Sequence, residues 1–237
     1  MSDKRQPRGH APGTPQPRGD APGQPSGHAP GLDARTRALV RLATAVASGD
    51  AGRLRERMIA AHAVGVPGTW VEELLLQSLL NVGYALTLVA FGVWREVSGP
   101  VHAPAESLEH REWKAWTERG ADVCARVYGR TYHKLLLNLR SLHPALEALV
   151  VVDAYGKMIG RPGLDLKRRE LCNVATIAML NASRQLHAHL RGALNTGSSA
   201  PEVDELLALV EEDLDAEQAL RVWELWADVR GRLTADS

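Results

Sequence analysis

The chain has 237 residues, with 28 basic and 28 acidic side chains, a formal net charge of zero and 45% apolar residues. That length can bury a core in one or two domains, and the charge balance argues against an electrostatic nucleic-acid binder, which carries a basic excess. Two cysteines exclude a disulfide scaffold and a Cys-rich zinc site, and the abundance of Leu, Ala, Val and Arg favours helices over strands.

Residues 1–32 hold seven of the 13 prolines and six of the 21 glycines, and they repeat: Gln6-Pro7-Arg8-Gly9 returns as Gln16-Pro17-Arg18-Gly19. With almost no large apolar side chain, the segment cannot offset the entropy of ordering, so a disordered tail is expected. It lacks the apolar centre of a signal peptide, and the chain is expected in the cytoplasm. From Asp33 onward apolar residues recur at helical spacing, and an all-α bundle is expected. Asp33 opens a helix to about Ser48, and Gly49-Asp50-Ala51-Gly52 breaks it. A second helix runs from about Arg53 to Val64 and stops at Gly65-Val66-Pro67-Gly68. Thr69 and Glu72 have capping-box spacing for a third. Asn81-Val82-Gly83 interrupts, and a fourth helix reaches about Val97. Ser98 to Ala105 reads as a connector, followed by helices over Glu106–Tyr128, Arg130–Leu142 and Pro144–Ile159, and by a break at Gly160-Arg161-Pro162-Gly163.

Leu74 to Trp94 carries no charged residue. Its length alone would suit a membrane span, but Gln77, Ser78, Asn81, Gly83 and Thr87 interrupt it, and two consecutive core helices are expected instead, with no membrane partner. An internal repeat is also visible. A shift of 132 residues aligns Asp33–Ser78 with Asp165–Val210 without a gap, matching Asp33 with Asp165, Arg37 with Arg169, Gly65 with Gly197 and Glu73 with Glu205 among others. Each copy reads as a three-helix unit, and Ser199 with Glu202 gives the second its own capping box.

Four stretches carry a resemblance: His143-Pro144 followed by Tyr155-Gly156; Arg161-Pro162-Gly163-Leu164-Asp165; Arg169-Glu170-Leu171; and His189-Leu190-Arg191-Gly192-Ala193-Leu194-Asn195-Thr196-Gly197. Together they resemble the carboxymuconolactone decarboxylase family, which also contains the alkyl hydroperoxidase D type proteins. The likeness is weak over 35–96 and good over 123–207. It implies a helical bundle that assembles into homo-oligomers, often trimers or hexamers. The peroxidase branch uses a Glu, two cysteines three apart, and a His four further on. Here Glu170 and His189 stand at the outer positions, but Ala182 and Gln185 replace the cysteines. The corresponding places in the first repeat are Ala38, Asp50, Arg53 and Arg57. A peroxidatic cycle needs a low-pKa thiolate and a resolving thiol. Cys124 and Cys172 have no such spacing, so dithiol peroxidase activity is not expected. The decarboxylase branch lacks the cysteines and often carries an acid where Gln185 stands. Around Gly83 this chain has Asn81 and Ala85 where the family commonly has Tyr and Pro.

The resemblance therefore implies a cofactor-free carboxy-lyase acting on a small lactone or carboxylic acid, with a non-catalytic oligomeric member of the family as the alternative. Loss of CO₂ from a lactone acid leaves charge that spreads into the carbonyl, so the site needs a cation or amides at that oxygen and a proton donor. His189 is the donor candidate, because imidazole titrates near neutrality. Glu170 would orient it, and Gln185 shares its helix face; Arg161, Arg184 and Asn81 are the candidates for holding substrate. His187 should point away from His189. Arg161 could equally tie its loop to a neighbouring helix, and Asp165 reads as an N-cap. No metal is expected, since no His-x₃-His, same-face Glu-x-x-His or carboxylate cluster occurs, and no Gly-rich phosphate loop is present.

Overall fold

A computed structural model describes residues 31–99 and 112–235. The expected tail up to residue 30, most of the expected connector and the expected helix start at Glu106 lie outside the described residues. The described residues are helical, with no strand among them. In chain order they form α1 (Ala34–Ser48), α2 (Ala51–Ala63), α3 (Gly68–Ser98), α4 (Trp113–Tyr128), a 3₁₀ turn at Gly129–Thr131, and α5 (Tyr132–Leu142). A single turn, α6 (Leu146–Ala148), runs into a π-helical segment (Leu149–Ile159), and α7 (Leu166–Met179), α8 (Ser183–Asn195), α9 (Ala200–Glu211) and α10 (Ala216–Ala235) complete the bundle.

The helix ends follow local chemistry. Asp33 and Asp165 are N-caps whose carboxylates accept from the Thr36 and Arg168 N–H groups, answering donors that a helix start leaves open. Ser199 and Glu202 form the reciprocal capping box expected of them. Thr69 and Glu72 do not. α3 begins at Gly68 behind Pro67 with no side-chain cap, and Glu72 is buried, its Oε1 accepting from Arg95 and Trp94. The fold also takes up the chain slightly earlier than expected: Leu32 is 3% exposed and its N–H donates to Glu205 Oε2 at 2.7 Å.

The break foreseen at Asn81-Val82-Gly83 is confined to one residue. Gly83 has φ 72° and ψ −179°, and α3 continues on both sides of it. A Cβ there would meet nothing within 4 Å, so the backbone conformation, and not crowding, calls for glycine. The half before Gly83 buries Val71, Leu74 and Leu75. The half after it leaves Tyr84 72% and Leu88 65% exposed, with Val89 also open, and Leu80 is exposed just before the kink. α3 is long and apolar enough to cross a membrane by length and composition.

One large core joins α1, α2, α3, α7, α8, α9 and α10 through residues such as Leu39, Leu75, Leu171, Leu190 and Leu207, each worth about 1.5–3 kcal/mol on burial. A smaller cluster, Val123, Cys124, Val127, Tyr155 and Ile159, joins α4 to the π segment. Two glycines make that second contact possible. A Cβ on Gly120 would lie 2.0 Å from the Val151 carbonyl oxygen, and one on Gly156 would lie 2.2 Å from that of Trp116. The Gly160 N–H reaches back to the Tyr155 carbonyl at 2.8 Å, closing the π segment. α8 lies between α4, α7 and α10, which brings the sequence's two polar candidates, Glu170 and His189, face to face.

Candidate active site

Glu170 sits in the first turns of α7, where every residue from Arg169 to Ala178 is buried. Its own exposure is zero. A carboxylate so placed must be answered by hydrogen bonds, and both oxygens are. Oε2 lies 2.8 Å from His189 Nδ1 on α8, and Oε1 accepts from Asn173 Nδ2 at 3.0 Å, one turn along α7. Asn173 Oδ1 in turn accepts from Asn81 Nδ2 at 3.2 Å and Gln77 Nε2 at 3.4 Å. A polar chain therefore runs from α3 through α7 to the imidazole. Since a carboxylate only accepts, Nδ1 carries the proton in this pair and Nε2 is the ring's working nitrogen. Nε2 has no partner among the described residues, and the His189 side chain is 13% exposed.

The sequence around His189 explains the geometry. A Cβ on Gly192 would fall 2.6 Å from Glu170 Oε2 and 2.9 Å from Val127 Cγ1, so only glycine leaves the carboxylate room to reach the ring. Asn195 Nδ2 donates to the Val127 carbonyl at 2.8 Å, tying α8 to the end of α4 just before Tyr128. The Tyr128 ring stands edge-on to His189, centroids 6.2 Å apart, and to Tyr155 at 6.1 Å. Burial pushes the Tyr128 hydroxyl up to about 12 and the Tyr155 hydroxyl well above its usual range. Both stay protonated, their rings edge to face near the dyad. Asn173, Tyr128, Tyr155 and Gly192 escaped the sequence reading as site residues. Gly192 and Tyr155 had a signal, their places in the stretches that carry the resemblance, while Asn173 and Tyr128 had none.

Arg161, expected as a substrate anchor, is turned elsewhere. It is buried, with Nε 3.2 Å from both Glu73 oxygens. Arg169 joins the same carboxylate at 2.8 Å, donates to the Leu164 and Arg161 carbonyls, and reaches Gln77 Oε1 at 3.1 Å. Burial lowers the Arg169 pKa, and the Glu73 hydrogen bond opposes that shift. This cluster clamps the turn before α7 onto α3 and supports the dyad through Gln77. Asn81, another expected substrate contact, instead donates to Asn173.

Gln185 and Arg184 lie on a different face of the same wall. They line a groove of about 480 Å³ between α5 and α8, over Val127 and Tyr128. Arg184 Nη2 donates to Asn138 Oδ1 at 3.1 Å. His187, expected to point away from His189, lines this groove beside Arg184, with Nε2 3.1 Å from Asp228. His189 and Glu170 are not in its lining; Tyr128 is, and the same ring stands edge to face with the imidazole. Ala182 is the N-cap of α8, packed against the main core.

The cysteines are placed as core residues. Cys124 and Cys172 are both fully buried, and burial pushes each thiol up to about 12, with the Glu170 charge adding to the effect at Cys124. Neither is a thiolate at neutral pH. Among the described residues no group of three or more His, Cys, Asp or Glu side chains is placed to hold a metal ion.

No curated protein matches the chain. Residues 147–228 match the family model described as the carboxymuconolactone decarboxylase family. The matched stretch takes in the π segment, all of α7, α8 and α9, and most of α10, and so holds Glu170, Asn173, Gln185, His189 and Gly192. Over residues 147–228, and at family level, the chain is carboxymuconolactone decarboxylase-like.

Proposed function

We propose that the protein is a cofactor-free carboxy-lyase acting on a small lactone or related carboxylic acid, with His189 as the proton donor. The observation that carries this reading is the 2.8 Å contact between His189 Nδ1 and a fully buried Glu170 whose second oxygen is already held by Asn173. A buried carboxylate on Nδ1 fixes the ring and leaves Nε2 as the nitrogen from which a proton can be delivered to a carbanion. In the proposed step the C–CO₂⁻ bond breaks and its electron pair moves toward the lactone carbonyl. CO₂ leaves, and Nε2–H then protonates the carbon. Arg184 and Gln185, a turn before His189 on α8 but in the groove that leaves the imidazole out, can supply the cation and amide that such a charge requires only to a substrate that reaches from the groove to Nε2. The raised, buried thiols favour this reading over a thiol peroxidase. A non-catalytic, oligomeric role is favoured by one observation, that the groove lined by Gln185 excludes His189 itself. The test is CO₂ release from a panel of carboxylated lactones. Turnover should fall about 10²–10⁴-fold in His189→Ala, with a similar direction in Glu170→Gln. Release from none of the panel, or an unchanged rate in His189→Ala, favours the scaffold.

The bundle itself reads as two copies of one unit. Arg169 pairs with Glu73 and Arg37 with Glu205, the same two positions of the repeat with the partners exchanged between halves. Gly31 lies against Glu205 as Gly163 lies against Glu73, and both α1 and α7 start from a capping aspartate. Assembly into a homo-oligomer, implied by the family resemblance, would cover the apolar face that α3 exposes after Gly83.

A further inference from the structure

The groove between α5 and α8 sets an unbalanced group of charges among apolar walls. Its walls are apolar, with Leu135, Leu139, Leu142 and Val150 facing the space. Three cations, Lys134, Arg184 and Arg191, stand in the same lining, and no carboxylate does. None of the three has a carboxylate partner among the described residues; Arg184 touches only the Asn138 amide. Nearby surface arginines behave differently: Arg140 pairs with Glu147, Arg221 with Glu217 and Arg230 with Asp204. Like charges gathered around a space of low polarity repel one another, and the apolar walls raise the cost of leaving them unanswered. A bound anion relieves both, provided that it also brings apolar surface for the leucines.

The volume agrees with this. About 480 Å³ is far more than a carboxylate, a phosphate or a few waters need, and falls in the range of pockets that take small organic ligands. Tyr128 and Val127 in the same lining add aromatic and aliphatic surface to that of the leucines.

We propose that this groove binds an organic carboxylate with an extended apolar body, of the fatty-acid or aryl-acid type, its carboxylate held among Arg184, Arg191 and Lys134 and its body lying along the leucines of α5. Where that ligand is the enzyme's own substrate the proposal rests on the lyase reading, but binding measured without turnover succeeds or fails separately from CO₂ release.

The test is calorimetric titration of the full-length protein with decanoate, decanol and acetate. Decanoate should bind at least about tenfold tighter than either of the others, and added salt should weaken it. The double variant Arg184→Gln, Arg191→Gln should lose at least about tenfold in decanoate affinity, with its thermal melt unchanged because both side chains reach solvent. His189→Ala, outside the lining, should bind decanoate as the parent does. As a readout that needs no variant, bound decanoate should protect Lys134 from acetylation by acetic anhydride, scored by peptide mass spectrometry. Equal affinity for decanol shows that charge plays no part, and equal affinity for acetate shows that the apolar body plays none; either overturns the proposal. So does undiminished binding in the double variant, or a Lys134 acetylated equally with and without decanoate.

Discussion

At Gly192 a missing methyl group holds the site together. The Glu170 oxygen that meets His189 occupies the volume a Cβ would fill, with Val127 pressing from the other side. Gly192→Ala must therefore push the carboxylate off the ring or lift α8 from α4. Overpacking of this kind costs about 1–3 kcal/mol, and the dyad is its first casualty. In long-range ¹H–¹⁵N spectra, neutral His189 should appear as a single Nδ1–H tautomer in the parent and as a mixture in Gly192→Ala; an unmixed spectrum in the variant refutes the crowding argument. The sequence marked Glu170 and His189 only through a resemblance, because they are 19 residues apart and lie on different helices. Asn173 and Tyr128 had no local mark at all: what makes them part of the site is a contact made across helices. Arg161 had two readings in the sequence, a substrate anchor or a tie between its loop and a helix, and only the contact with Glu73, far away in sequence, separates them in favour of the tie.

At the scale of elements, caps and breakers were the most legible features, since their chemistry is local. Asp33 illustrates how much such a cap contributes. Burial alone would raise its pKa, but the Thr36 N–H and hydroxyl and the Arg168 guanidinium outweigh that and hold the carboxyl at about 2. A folded-state pKa below the unfolded value means stability that is fully present above pH ~4 and is lost as the pH falls toward 2. The side chain is half exposed, so solvent screening leaves about 1 kcal/mol of it. Asp33→Ala should lower the melting temperature by a few degrees at pH 7, and the gap from the parent should close on acidification between pH ~4 and ~2. A gap that stays constant over that range would mean that the ionised carboxylate contributes nothing. Thr69 and Glu72 mark the limit of such local reading. The spacing suits a capping box, yet Arg95 and Trp94 draw Glu72 into the interior, where a buried ion pair with its hydrogen bonds outweighs one more capped N–H.

For the molecule as a whole, α3 poses the largest question. Its stretch without charges was read as core, and the first half is; the second half, beyond Gly83, presents Tyr84 and Leu88 to solvent. Contiguous apolar surface of this kind marks contact with another body. On the oligomer reading, Tyr84→Glu with Leu88→Glu should convert the protein to a smaller species in light scattering coupled to gel filtration, with helicity retained. If the parent is already a monomer, or co-sediments with lipid vesicles, a second copy is not what covers this face. Periodicity could not distinguish the two halves, because they share one composition and differ only in which neighbours the kink leaves them.

The buried clamp on Glu73 also bears on how the protein can be divided. The stretch that matches the family, 147–228, contains Arg161 and Arg169 but neither the glutamate that neutralises them nor the Gln77 and Asn81 amides that hold Asn173. Excised alone, it would leave both guanidinium groups without their counter-charge and would open to water the apolar face of α7 that α1 and α3 cover. The part of the chain that bears the family's signature is therefore not a self-sufficient folding unit, and the less recognisable first half acts for it as a built-in counter-ion.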